Sequence, residues 1–247
     1  MSRVIAITGG ARGIGRAVAE RFRRGGDVVA VCGRSARDAS LPRELFHHRA
    51  DVRQRPEVRR FIEEVVRQFG GLDVLVNCAG VSRWRPIEDI DEALVEETVD
   101  TAVLGTLWGC QAAATALKSG GSIVNVSSLA GKRGSANNSV YCAAKFAVNG
   151  ITQALAKELG PRGIRVNAVC PVYVETEHIL ASLSEPSSPA RGQSPQAYLE
   201  TFASTQTALG RLPTAEEVAE VVYLLASQEA SAITGQCVNV DCGTLPQ

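Results

Sequence analysis

The sequence predicts a single-domain, doubly wound α/β fold, with a parallel sheet covered by helices on both faces. Three observations lead there. Apolar runs of strand length alternate with helix-patterned stretches along the whole chain. The runs are continuous in Val, Ile and Ala, as expected of strands buried on both faces. The length of 247 residues, 45% of them hydrophobic, suits one ample core and requires no second domain.

The elements follow in order. "RVIAIT" reads as the first strand, "IGRAVAERFRR" as the helix leaving it, and "DVVAVC" as the second strand. A third strand ends before Asp51, and "PEVRRFIEEVVRQFG" is the next helix. "LDVLVN" is the fourth strand, followed by a long helix through "LWGCQAAATAL" and the fifth strand "SIVNVSS". The helix containing "SVYCAAKFAV" comes next, then the strands "IRVNAVC" and "QCVNVD". In such sheets ligands sit beyond the carboxyl ends of the strands. One segment breaks the rhythm: between Thr176 and Pro213 runs "SLSEPSSPARGQSPQAYLETFAS", far longer than an ordinary connection. Residues 177–212 are therefore expected to form a flap over a substrate pocket.

Lys+Arg and Asp+Glu both number 26, so the formal net charge is zero. That balance argues against an electrostatic grip on nucleic acid or on an anionic membrane and favours a small neutral or mildly polar ligand. The opening "MSRVIAITGG" runs straight into a strand without the pattern of a signal peptide, and no apolar run approaches membrane-spanning length. Seven cysteines are scattered without a C-x-x-C pair, which reads as reduced thiols, mostly small core hydrophobes, in a cytoplasmic protein. Three histidines lack metal-ligand spacing, and no metal site is expected.

Two local patterns carry chemistry. In "TGGARGIGRAVAE", Gly9, Gly13 and Gly15 stand at a strand-to-helix turn, where glycine lets the backbone approach a pyrophosphate and the helix N-terminus offers free N–H groups. The turn lacks the Lys-Ser/Thr of a P-loop, and its T-G-x-x-x-G-x-G spacing differs from the common G-x-G-x-x-G. Tyr141 and Lys145 are four apart and share a helix face. Either the tyrosine packs while the lysine reaches water, or an ammonium activates a phenol.

The Thr8–Gly15 turn, "NCAG" at Asn77 to Gly80, "NVSS" at Asn125 to Ser128 and Tyr141-x-x-x-Lys145, in this order and spacing, resemble the short-chain dehydrogenase/reductase family over essentially the whole chain. The resemblance implies a Rossmann-type fold and hydride transfer between a nicotinamide cofactor and a ketone or secondary alcohol. Ser128, 13 residues before Tyr141, would bind and orient the substrate oxygen. Tyr141 would act as general acid/base, and Lys145 would lower the phenol pKa while holding the nicotinamide ribose.

By the same resemblance Thr8, Gly9, Arg12, Gly13, Ile14 and Gly15 would hold the dinucleotide. Asp51 and Val52 would flank the adenine, Asn77, Ala79 and Gly80 would line the cofactor's middle, and Pro171, Val172 and Thr176 would meet the nicotinamide end. The second strand ends in Cys32, Gly33, Arg34, without the carboxylate that accepts ribose hydroxyls, and Arg12 matches a basic position of NADP-using relatives. Two guanidinium groups suit a 2′-phosphate, so NADP(H) is expected over NAD(H).

Departures from the family pattern sharpen the expectations. Ala102 stands where an asparagine usually completes a catalytic tetrad, Val172 replaces the glycine of Pro-Gly, and Cys242 stands where glycine often follows Asp241. Valine cannot share glycine's φ range cheaply. One alternative is therefore an impaired NADP-binding regulatory or scaffold protein. Another, within enzymes, is a 3-oxoacyl-carrier-protein reductase that uses Arg83 and Arg85 as a local basic patch. Trp84 of "VSRWRP", with Ile179, Leu180, Leu183, Tyr198 and Phe202 of the flap, would make a partly apolar pocket, although Trp84 equally suits an exposed loop or a subunit contact. Relatives of this type imply a homo-oligomer, a tetramer or dimer.

Overall fold

A computed structural model describes residues 2–246. Seven strands form one parallel sheet in the order β3-β2-β1-β4-β5-β6-β7. They are β1 (Val4–Thr8), β2 (Val28–Gly33), β3 (Phe46–Arg49), β4 (Leu72–Asn77), β5 (Leu117–Val126), β6 (Arg165–Pro171) and β7 (Cys237–Val240). All five residues of β1 are buried, as befits a central strand whose neighbours β2 and β4 pair with it residue for residue. Edge strand β3 is half-buried and carries His47, His48 and Arg49, polar residues that blunt an edge.

Helices cover both faces. On one side α1 (Gly13–Arg24) packs against α8 (Ala215–Leu225), burying Phe22 and Val18 with Ile5, Ile7 and Val31. On the other lie α2 (Arg55–Phe69), α4 (Gly105–Ala116) and α5 (Ser139–Leu159), with Phe61, Leu72, Leu75 and Ile123 in their core. A fully buried Phe or Leu contributes roughly 1.5–3 kcal/mol relative to exposure, so these two layers hold the sheet.

The long helix expected before β5 is interrupted. A helix α3 (Glu92–Val99) passes through a π turn at Asp100–Leu104 into α4. Such insertions redirect a helix and recur at functional sites. Gly105, just after the turn, lies so close to Val52 that an added Cβ would stand 2.9 Å from Val52 Cγ2. The end of the third strand is thereby seated on the helix.

Residues 177–212 contain two helices that the sequence reading left within one excursion, α6 (Glu177–Leu183) and α7 (Pro195–Gln206). Each starts from a capping side chain: Thr176 accepts from the Ile179 N–H and Ser194 from the Ala197 N–H. No helix among the described residues is long and apolar enough to cross a membrane.

Candidate active site

Strand order reverses between β1 and β4, and a crevice opens beyond their carboxyl ends. A cleft of about 1530 Å³ lies there. Gly9, Arg12, Gly13, Ile14, Gly15, Arg34, Asp51, Val52, Ala79, Gly80, Ser128, Tyr141, Lys145, Pro171, Val172 and Thr176 all line it. Two predicted cofactor residues, Thr8 and Asn77, are buried behind its wall. They are register partners across β1 and β4. The Thr8 hydroxyl accepts from the Cys78 and Ala79 N–H groups at 3.1 and 3.3 Å. Asn77 donates to Asn125 Oδ1 at 3.0 Å, and Asn125 to Thr152 Oγ1 at 2.9 Å. Their contribution is to fix the backbone that reaches the cleft.

The glycine turn is a cradle that side chains would fill. A Cβ on Gly15 would meet the Gly9 carbonyl oxygen at 2.2 Å, and one on Gly9, at φ +67°, would meet the Ala79 backbone at 2.9 Å. The N-cap of α1 is Arg12, which makes no side-chain cap, and the first turn holds no acidic residue. Free N–H groups and the positive end of the helix dipole thus face the cleft, as a pyrophosphate requires. Arg12 and Arg34 are exposed at this end and form no ion pair among the described residues. Asp51 is held by Arg53 at 2.6 Å, and that contact keeps its carboxyl below the usual range.

The opposite end holds the serine, tyrosine and lysine. Ser128 caps a short 3₁₀ turn, Leu129–Gly131, accepting from the Ala130 N–H at 3.1 Å. That turn is pressed onto α5: a Cβ on Gly131 would meet the Lys145 carbonyl oxygen at 2.6 Å, and Asn149 donates to the Gly131 carbonyl at 2.9 Å. Ser127 adds a bond to the Lys145 carbonyl at 3.3 Å. These contacts set the serine against the tyrosine.

Lys145 Nζ donates to the Val126 carbonyl at 2.9 Å and stands 5.6 Å from the centre of the Tyr141 ring. Burial pulls the lysine down to about 8. Burial also pushes the Tyr141 phenol up to about 12, against a lowering influence of the Ser128 hydroxyl. In the chain alone burial outweighs the serine, and the Lys145 ammonium is directed at the Val126 carbonyl. At neutral pH the phenol is a proton donor and Lys145 is largely charged.

The departures resolve individually. Ala102 is buried within the π turn, and its neighbour Thr101 lines the cleft instead. Val172 lies outside the positive-φ residues. Its N–H bonds the Val240 carbonyl at 3.4 Å, so the strain expected of a valine in glycine's φ range is absent. Cys242 does occupy a left-handed conformation, at φ +52°, held by bonds from Leu209 N–H to its carbonyl and by the Asp241 carboxylate bonding the residues after it.

Above the catalytic group Tyr173, Tyr198 and Phe202 meet edge to face, with ring centroids of Tyr173 and Phe202 4.9 Å apart. Trp84 is 3% exposed, against the alternative of an exposed loop aromatic, and packs with Leu183 and Leu199. Ile179, Tyr198 and Phe202 line the cleft, while Leu180 and Leu183 pack beside it. Sequence reasoning missed Glu185. Its carboxylate accepts from the Trp84 N–H at 3.0 Å and from Arg85 at 3.1 Å, and pairs with Arg83 at 3.3 Å. Ser182 adds a bond to the Ser82 carbonyl at 3.2 Å. No sequence pattern announces this latch, because its partners are about a hundred residues apart.

Known proteins share this fold. A family model described as enoyl-(acyl carrier protein) reductase matches residues 9–244. The diacetyl reductase [(S)-acetoin forming] of Staphylococcus aureus is 37% identical over 253 residues, covering 98% of this chain and 97% of that protein. The aldohexose dehydrogenase of Thermoplasma acidophilum, solved in ligand-free form, superposes with a TM-score of 0.88 at 31% identity, covering 100% and 98% of the two chains. ElxO with NADP bound superposes at 0.87 with 28% identity over the full length of both.

Proposed function

The chain belongs to the short-chain dehydrogenase/reductase family, and from that premise we propose that it is an NADP(H)-dependent oxidoreductase interconverting a small ketone and its secondary alcohol. The observation carrying the reading is the convergence of Ser128, Tyr141 and Lys145 on one cleft with the glycine cradle. The cofactor, when bound, supplies or accepts the hydride.

The remaining steps belong to the chain. Ser128 donates a hydrogen bond to the substrate oxygen and orients it. Tyr141, kept protonated by burial, delivers its proton to that oxygen as negative charge develops there, and recovers it in the reverse direction. Lys145 Nζ, held by the Val126 carbonyl, places positive charge beside the resulting phenolate. The segment 177–212 excludes water from above through Tyr198, Phe202 and Ile179.

NADP(H) is favoured over NAD(H) by Arg12 and Arg34, which form no ion pair among the described residues and stand where β2 offers no carboxylate. A small substrate is favoured over an acyl carrier protein because Arg83 and Arg85, the local basic patch, are both engaged by Glu185. We place the protein in the cytoplasm, as a homo-oligomer. The test is loss of NADPH absorbance with a ketone panel. Tyr141→Phe is expected to lower turnover about 10²–10⁴-fold, the scale of general acid catalysis, with cofactor affinity retained. Cofactor binding with turnover unaffected by that substitution would overturn the mechanism.

A further inference from the structure

The ladder between β2 and β3 is carried past its end by a side chain. The two strands pair in register from Ala30 with Phe46 to Gly33 with Arg49, and at that end the Ala50 N–H donates to the Gly33 carbonyl at 3.0 Å. The next carbonyl along the chain, that of Arg34, has left the sheet, and Arg49 Nε donates to it at 3.0 Å. A Cβ on Gly33 would meet no atom within 4 Å, so the chain departs from the sheet at a point with open space beside it. The Arg49 side chain supplies there the tie that the backbone ladder no longer gives.

The residues that depart form part of the cleft wall. Arg34 and Ser35 both line the cleft. The Arg34 charge reaches Asp51, whose carboxyl is lowered first by the hydrogen bond from Arg53 and least by Arg34. Two further guanidinium groups fasten the rest of this loop: Arg16 of α1 donates to the Ser40 carbonyl at 2.9 Å, and Arg37 donates to the Leu45 and Leu41 carbonyls at 2.7 and 3.2 Å. Of the three, Arg49 bonds residue 34 itself. Fixing the peptide that follows the Arg34 Cα sets the direction in which its side chain leaves. A planar fork that meets a phosphate through two parallel bonds tolerates little misdirection.

We propose that Arg49 is a positioning residue for cofactor choice: by holding the Arg34 carbonyl it presents the Arg34 guanidinium to the 2′-phosphate of NADP(H). The inference rests on the NADP(H) reading and deepens it. NADH carries a hydroxyl in place of that phosphate, so the contribution is confined to NADPH, where a fixed backbone lowers the ordering cost of the bound state.

The test separates position from charge. Glutamine carries its amide nitrogen on Cδ, the atom that carries Nε in arginine, so Arg49→Gln keeps the donor and removes the charge, whereas Arg49→Met keeps the chain length and removes both. Dissociation constants for NADPH and NADH are measured by fluorescence titration on the full chain and on each variant. Wild type is expected to favour NADPH. Arg49→Met should cut the NADPH-to-NADH affinity ratio about three- to ten-fold, the scale of one hydrogen bond, with NADH affinity within two-fold of wild type. Arg49→Gln should keep the ratio within two-fold. A methionine variant that retains the ratio, or one that weakens both cofactors alike, overturns the positioning role. So does a glutamine variant that loses as much as methionine, because charge alone would then account for the effect. A wild type without preference for NADPH overturns the NADP(H) reading itself, an outcome distinct from a preference that Arg49→Met leaves untouched.

Discussion

The two ends of the cleft are fixed by different parts of the chain. At the nucleotide end, backbone meets backbone: Gly9, Gly15 and Ala79 approach so closely that a single methyl has no room. At the substrate end, side chain meets side chain: Glu185 bridges Arg83, Arg85 and the Trp84 N–H, and an aromatic cluster fills the space beneath α7. A group whose shape never varies is suited to recognition by main chain. Substrate choice is left to contacts that single substitutions can retune.

That contrast orders the expected effects. The largest belongs to the glycine cradle: Gly15→Val must displace the Gly9 carbonyl, and cofactor affinity is expected to be lost outright, by more than about a hundred-fold, since a close backbone approach is not recoverable by repacking. Fluorescence titration with NADPH measures it, and near-normal affinity would break the comparison. Next, Arg12→Ala with Arg34→Ala should weaken NADPH by roughly ten- to a hundred-fold while sparing NADH, as two charge-assisted bonds at about 1.5–3 kcal/mol each would predict after non-additivity. Equal losses for both cofactors would remove the NADP assignment.

Lys145, beside Tyr141, gives a pH signature. Burial lowers its pKa from 10.5 to about 8. Reduction is therefore expected to fall as pH rises through about 8, by roughly ten-fold per unit above it, as the ammonium is lost. The stability sign is opposite. Between about 8 and 10.5 the unfolded chain binds the proton that the native state has released, so stability rises with pH across that window, and the burial penalty is complete only below it. A pH–rate profile and denaturant melts read the two separately; a flat rate from pH 7 to 9 would contradict the assigned role. The smallest effect falls on the latch. Glu185→Gln should raise substrate KM about five-fold, equivalent to about 1 kcal/mol for partly exposed ion pairs, and leave cofactor affinity within two-fold. A matching loss of cofactor affinity would show that the two ends are not independent.

The same contrast explains what the sequence disclosed. The nucleotide end was legible because main-chain approach leaves a trace in composition: Gly9, Gly13 and Gly15 at fixed spacing, and strands of uninterrupted Val and Ile. Tyr141 and Lys145 were legible because four residues on a helix bring side chains together. Thr8 and Asn77 were read as cofactor contacts, but their side chains turn inward, Thr8 to tie β1 to the turn after β4 and Asn77 to tie β4 to β5, a distinction invisible without the sheet. Glu185 left no trace, because its partners lie about a hundred residues away. The π turn at Asp100–Leu104 was likewise hidden: the residues DTAVL read as continuous helix, and the extra backbone residue is a matter of hydrogen bonding, not of residue type.

Strand order carries one more consequence, for the time course of synthesis. The first described strand in chain order, β1, lies inside the sheet, and its second neighbour, β4, begins only at Leu72. Until the ribosome has passed that point, β1 is an apolar strand with one open edge. Every ladder is parallel, so no local hairpin can form early, and each pairing requires closing a crossover. The edge that β1 leaves open is therefore covered only by the strand that also completes the floor of the cleft.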